Sequence, residues 1–438
     1  MKRIWFLITG GIIAAAILGG SAFMWISSQR PVTENSPVVI TKIAKNETDP
    51  AAFKAAYPRH FDSYMKNAQT LPAPLKYANS EKKHSKLAEY PYMTTLWNGY
   101  AFAKEYNEAR GHVYTNDDVI GGNGTEGTKR ITPEKTNMTC MYCKSAEVPQ
   151  LLEKMGDAFF NTKLLVDNNK DQFKHPISCS DCHNPETMEL RITRPALTEA
   201  LARRGVDVAK ATQQEMRTYV CAQCHVTYFF NPNDKNRVTF PWDKGFEPED
   251  IYAFETSDIK LTEWTHPQSG TNLIKARHPE FETFQGSVHQ KAGLSCADCH
   301  MPYMKEGNTK ISSHWWTSPM RTFTQSCATC HKQSEQQMKE NILNIQDRNK
   351  EALDRAGEAN KAAILAIEKA QKAGADAKLL DEARALHREA QFYWDYVGAE
   401  NSMGFHNPSK MLETLADSID LARQAEVKAI QAEAAAKK

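Results

Sequence analysis

The stretch TNMTCMYCKSAEVP, residues 136–149, holds two cysteines three positions apart with a lysine directly after them. Four later stretches keep that spacing but carry histidine in the lysine's place: ISCSDCHN (177–184), YVCAQCHV (219–226), LSCADCHM (294–301) and QSCATCHK (325–332). The five pairs, Cys140/Cys143, Cys179/Cys182, Cys221/Cys224, Cys296/Cys299 and Cys327/Cys330, use all ten cysteines of the chain. Cys-x-x-Cys-His is the attachment pattern of c-type haem. The two thiols form thioethers to one porphyrin edge, and the next residue reaches the iron from the same side. A zinc site pairs two such motifs or adds a distant histidine, and a redox dithiol normally occurs once. Neither explains histidine at one offset four times over, so the chain is expected to carry five covalent haem c groups.

Working outward, the 438 residues carry 54 Lys+Arg against 53 Asp+Glu, so no global charge bias points to nucleic acid. Residues 1–30 hold Lys2 and Arg3 and then an uncharged, largely apolar run, which is a targeting segment rather than part of the fold. Both a cleaved signal peptide and an uncleaved membrane anchor fit its length, and both put the body in the periplasm. Residues 31–50, with Pro31, Pro37 and Pro50 among polar residues, read as a linker or extended arm.

Residues 51–331 are rich in Gly, Pro, Asn and aromatics with only short periodic stretches. That suits a mainly α multihaem cytochrome, a haem-packed body with few short strands in which macrocycles supply much of the core. The first cysteines of successive motifs lie 39, 42, 75 and 31 residues apart, which excludes a regular repeat array. The third interval holds more chain than wrapping a haem requires.

Beyond His331 the pattern changes. Apolar residues recur at helical steps (Met338, Ile342, Ile345, Leu353, Ala356, Ala363, Ile367), which predicts a long amphipathic helix over 333–373 ending near Gly374. Further helices are expected over about 376–397, stopping at Gly398, and about 409–436. The 332–438 region can pack on the body or form a dimer interface. A helix of such length favours the second.

Five irons need five proximal ligands, and the motifs offer Lys144, His183, His225, His300 and His331. Ten histidines lie outside the motifs, so second axial ligands for four electron-carrying haems are in supply. Lysine is a costly ligand, because an ordinary lysine is charged near neutral pH and must lose its proton to donate a lone pair. One odd iron among five suggests a separate task such as binding substrate; the bland alternative makes Lys144 a chance neighbour.

This layout, one Cys-x-x-Cys-Lys motif before four Cys-x-x-Cys-His motifs, resembles the pentahaem cytochrome c nitrite reductases, the ammonia-forming enzymes. The resemblance extends through NETDPAAF (46–53), TLWNGYAFAKEYNEARGH (95–112) and GFHNP (404–408). It implies that the Lys144 haem is catalytic and that four bis-histidine haems relay electrons. It implies His112 opposite His225, His289 opposite His331, His314 opposite His183 and His406 opposite His300. It also implies a substrate pocket with Tyr228, His278 and an arginine. A count without gaps from Lys144 places that arginine on Gly124, so the loop differs here; Arg130 is the choice, with Lys129 and Arg110 as runners-up.

Many members of that family bind a structural calcium through a glutamate before the tyrosine and a glutamine before the histidine. Those positions here are Thr227 and Arg277. Loss of the carboxylate removes a hard oxygen ligand. The Arg277 guanidinium is expected to occupy the calcium position, bonded to the carbonyls of Tyr228 and Lys275, with calcium absent. Calcium with one glutamate and Arg277 with Thr227 carry the same net charge.

The resemblance thus implies six-electron reduction of nitrite to ammonium by a homodimer. The electron donor would be a membrane tetrahaem quinol dehydrogenase or a soluble multihaem cytochrome. Two other classes remain: a pure electron-transfer cytochrome in which Lys144 is incidental, and a related reductase acting on hydroxylamine or sulfite.

Overall fold

The computed structural model describes residues 42–77, 84–122 and 126–437. The expected targeting segment, 1–30, lies outside these residues, as does the 31–50 arm up to residue 41. No helix among the described residues is long and apolar enough to cross a membrane.

The body is assembled from short helices and 3-10 turns, with three antiparallel two-stranded hairpins. These pair Phe229–Asn231 with Arg237–Thr239, Trp264–Thr265 with Asn272–Leu273, and Tyr303–Glu306 with Thr309–Ser312. Two of the cysteine motifs begin with the same local device. In ISCSDCH and LSCADCH an aspartate three residues after serine accepts that serine's backbone N–H, Asp181 from Ser178 and Asp298 from Ser295, each at 2.7 Å. This cap starts a single helical turn, and the turn sets both cysteines on one face, because residues three apart are neighbours on a helix.

Three long helices follow the motifs: Glu335–Lys372, Ala377–Ala399 and Pro408–Ala436. Ser334 caps the first, accepting from Gln337 N, with the Gln337 side chain reaching back to the Ser334 N–H. That helix stops where Gly374 takes a φ of +77°, a conformation that disfavours other residues. Asp376 caps the second helix and Pro408 opens the third. Gly398 does not end the second helix, which runs on to Ala399 because its last turn is pinned by packing. Trp394, Tyr396 and Val397 are all buried there.

The long helices share one core with the body. Trp394 meets Trp97 and Tyr92 at ring separations of 5.6 and 5.8 Å. Buried Lys275 pairs with Asp395 at 2.6 Å, which ties the segment leading to His278 onto the second long helix. A second core surrounds the first motif, with Met138, Met141, Phe159, Leu197 and Trp242 fully buried.

Candidate active site

One continuous cavity of about 1550 Å³ runs through the body. Nine of the ten cysteines line it, together with Lys144, Tyr228 and His278. Contacts between motifs order them in space. Cys143 lies close enough to Cys224, and Cys221 to Cys296, for their thiols to interact. Cys299 lies near enough to Cys327, and Cys221 to Cys182, for their charges to interact. The first, third, fourth and fifth motifs thus form a row, and the second branches from the third.

The structure brings the eight histidines into four facing pairs. His112 and His225 have ring centroids 6.0 Å apart, His183 and His314 6.2 Å, His289 and His331 6.3 Å, and His300 and His406 6.3 Å. Two imidazoles held on one metal by bonds of about 2 Å sit with their centroids at about this separation. Several rings are oriented from behind, as metal-ligating histidines usually are. Nδ1 of His183, His314 and His300 faces the carbonyl oxygens of Met188, Ser312 and Thr317 at 2.8, 2.9 and 3.1 Å. Burial lowers the pKa of His112 to about 3 and of His225, His300 and His314 to about 4, leaving the neutral rings that ligation needs. His406 differs: burial opposes its charge, but the Glu400 carboxylate outweighs this and raises it to about 9. A carboxylate that stabilises a proton there stabilises a metal cation by the same charge. These residues fit haem c.

Lys144 sits on a loop fixed from two sides. Its carbonyl accepts from Thr115 Oγ1 at 2.7 Å, and the flanking carbonyls of Tyr142 and Ser145 accept from Arg194 at 2.7 and 2.9 Å. Arg194 is 1% exposed and also pairs with Asp181 of the second motif at 2.7 Å. That clamp escaped the sequence reading, since RITRP (191–195) has no pattern that sets it apart from other basic segments.

Tyr228 and His278 face the same cavity as Lys144. Burial pushes the Tyr228 hydroxyl well up, against the opposing pull of Arg277, so it remains an O–H donor. Burial above all holds His278 well below the ordinary histidine range. His278 adopts a φ of +42°, a strained setting for a residue with a side chain. The Phe281 N–H bonds the His225 carbonyl at 3.1 Å and anchors this turn to the third motif.

Arg277 lies behind these two residues. Its guanidinium donates to the carbonyl oxygens of Tyr228 and Lys275 at 3.1 and 2.9 Å and to the Tyr100 hydroxyl at 2.9 Å. It also pairs closely with Glu263. With Glu263 the guanidinium's charge is balanced, so the site does not carry the net charge expected from Arg277 and Thr227 alone. The contact joins residues fourteen apart through the Trp264–Leu273 hairpin, and no local motif marks it.

Of the three candidate basic residues, Arg130 is not among those lining the cavity; it stacks on Phe102 at 4.3 Å and donates to Thr128 Oγ1 at 3.1 Å. Its charge acts on Tyr228 and Cys140. Arg110 lines the cavity but is paired with Asp118 through its Nε at 3.2 Å. Lys129 is exposed.

Comparison with known proteins follows this geometry. A sequence model of the cytochrome c552 family matches residues 49–438. The cytochrome c nitrite reductase subunit NrfA of Nitratidesulfovibrio vulgaris is 37% identical over 94% of this chain and 86% of its own. A cytochrome c-552 of Bacteroides thetaiotaomicron is 37% identical over 96% of this chain and 84% of its own. The solved cytochrome c nitrite reductase of Desulfovibrio desulfuricans, described with two calcium sites in its catalytic subunit, superposes with a TM-score of 0.83 at 36% identity. That match covers 90% of this chain and 88% of the other.

Proposed function

This chain belongs to the cytochrome c552 family, the cytochrome c nitrite reductases, and from that membership we propose that it reduces nitrite to ammonium. One observation carries the reading: Lys144, Tyr228 and His278 converge on a cavity along which four histidine pairs stand at iron-spanning separations. Five haem c groups would be held by the five cysteine pairs. Lys144 would ligate the first, and the pairs His183/His314, His225/His112, His300/His406 and His331/His289 would ligate the rest. Bound there, the haems would supply an iron for substrate and a one-electron relay to it.

Nitrite takes up six electrons and eight protons and leaves as ammonium and two waters. Arg130 holds the anion by charge and hydrogen bonding. Tyr228 donates its O–H to a nitrite oxygen. His278, neutral in its buried setting, takes a proton from water on a ring nitrogen and passes it to the departing oxygen. Arg277 occupies the place of the structural calcium and fixes the backbone of Tyr228 and its own neighbour His278. Three of its partners, two carbonyls and a carboxylate, are oxygen donors of the kind calcium takes.

The protein acts in the periplasm, with electrons from a membrane tetrahaem quinol dehydrogenase or a soluble multihaem cytochrome. It works as a homodimer, a reading supported by outward-facing Leu365, Val427 and Ile430 on the long helices. The test is spectroscopic. The enzyme has one high-spin haem that binds nitrite or cyanide, whereas a pure carrier has five low-spin haems that bind neither.

A further inference from the structure

The four histidine pairs differ in what stands behind their rings. Backbone carbonyls, which are neutral dipoles, face Nδ1 of His183, His300 and His314. His406 Nδ1 instead lies 2.5 Å from Glu400 Oε1, and the Glu400 side chain is 0% exposed. Among the described residues, none of the other seven paired histidines has a carboxylate within ion-pair distance.

This carboxylate is fixed in place. Its second oxygen accepts from Ser402 N at 2.9 Å, Ser402 Oγ at 2.8 Å and Gly404 N at 3.3 Å, so the first is left to face His406. The loop is locked further by His406 N, which donates to Ser402 Oγ at 2.9 Å. A second buried carboxyl, Glu280, lies near enough to act on both residues and is held by Asn401.

We infer that Glu400 is a positioning residue that, through His406, holds the haem at Cys296/Cys299 at the lowest midpoint potential of the four bis-histidine haems. The inference rests on the ligand assignment proposed above. Oxidised haem iron carries one more positive charge than reduced iron. A fixed negative charge beside its ligand therefore favours the oxidised form, and burial keeps that attraction from being screened.

The location gives the effect a consequence. Cys296 neighbours Cys221 and Cys299 neighbours Cys327, so the haem held at Cys296/Cys299 would stand between those of the third and fifth motifs. An electron moving from the fifth motif toward Lys144 must climb through it. One arriving at the second motif, whose Cys182 neighbours Cys221, reaches the third without passing it. Glu400 thereby divides the relay into a direct route and a gated branch.

The test is potentiometry of the haem-loaded protein with the low-spin haems resolved by electron paramagnetic resonance. In the wild type one low-spin component titrates below the other three. Glu400→Gln raises that component alone, and Glu400→Asp, which keeps the charge, leaves it lowest. His406→Ala removes the same component from the low-spin set. Four coincident wild-type potentials would overturn the inference even if Glu400→Gln failed to take up haem. So would a Glu400→Gln variant with four intact low-spin signals and no shift, or with all four shifted equally. An unchanged low-spin set in His406→Ala would instead defeat the ligand assignment.

Discussion

The Arg277 guanidinium donates to the Tyr228 carbonyl oxygen at 3.1 Å, which joins a buried cation to the backbone of a residue facing the same cavity as Lys144. On the proposal that Arg277 takes the place of the structural calcium, Tyr228 held this way requires no divalent ion. Protein purified without added calcium is expected to contain no stoichiometric calcium and to keep its activity with a chelator. Arg277→Gln strands Glu263 and two carbonyls, and breaking a buried pair costs about 3–5 kcal/mol. That variant should melt lower and lose at least about tenfold in activity. Metal analysis with chelator-treated assays checks this; bound calcium whose removal abolishes activity contradicts it.

Glu263 offsets the charge of Arg277 close to the pocket. Glu263→Gln should therefore reduce thermal stability yet lower the KM for nitrite, and that gain should fade as salt screens it. Steady-state kinetics at low and high ionic strength decide, and an unchanged or raised KM counts against it.

Arg130 and Arg110 separate by their partners. Arg110 is committed to Asp118, while Arg130 stacks on Phe102 with its charge acting on Tyr228. Losing a charged hydrogen bond to substrate costs about 1.5–3 kcal/mol. Arg130→Ala should thus raise KM by about 10- to 150-fold, and Arg110→Ala should change it little. The opposite ranking would move the anion clamp to Arg110.

Glu255 sits in the π-helical turn Phe254–Asp258, 1% exposed, with Oε2 unpartnered. Burial, reinforced by Glu263, pushes its pKa up to about 8 from 4.5. The folded protein therefore binds a proton that the unfolded chain has released between those values, and its stability falls as pH rises through that window. Thermal melts should be higher at about pH 5.5 than at about pH 8.5, with the difference reduced in Glu255→Gln, which mimics the protonated acid. An equal difference in both proteins would remove Glu255 from the account.

Much of this architecture is legible in the sequence because its determinants are local. The cysteine motifs are five-residue patterns, and the first long helix is marked by Ser334 at one end and Gly374 at the other. Thr227 beside Tyr228 and Arg277 beside His278 are visible as departures from a family pattern. Glu263 and Arg194 are not, since each acts on residues brought near by tertiary folding. Gly398 misleads because packing around Trp394 overrides its helix-breaking tendency. The choice among Arg130, Lys129 and Arg110 needs the fold, because only there does Asp118 claim Arg110.

On the proposed function, Lys144 and His278 serve an iron that turns nitrite into ammonium. The direct measurement is ammonium formed from nitrite with a reduced viologen, comparing wild type, Lys144→His and His278→Ala. The wild type should form one ammonium per nitrite. The rate should fall by about 10²- to 10⁴-fold in His278→Ala, the scale of a lost general acid, and markedly in Lys144→His. Undiminished ammonium formation in both variants would contradict that function.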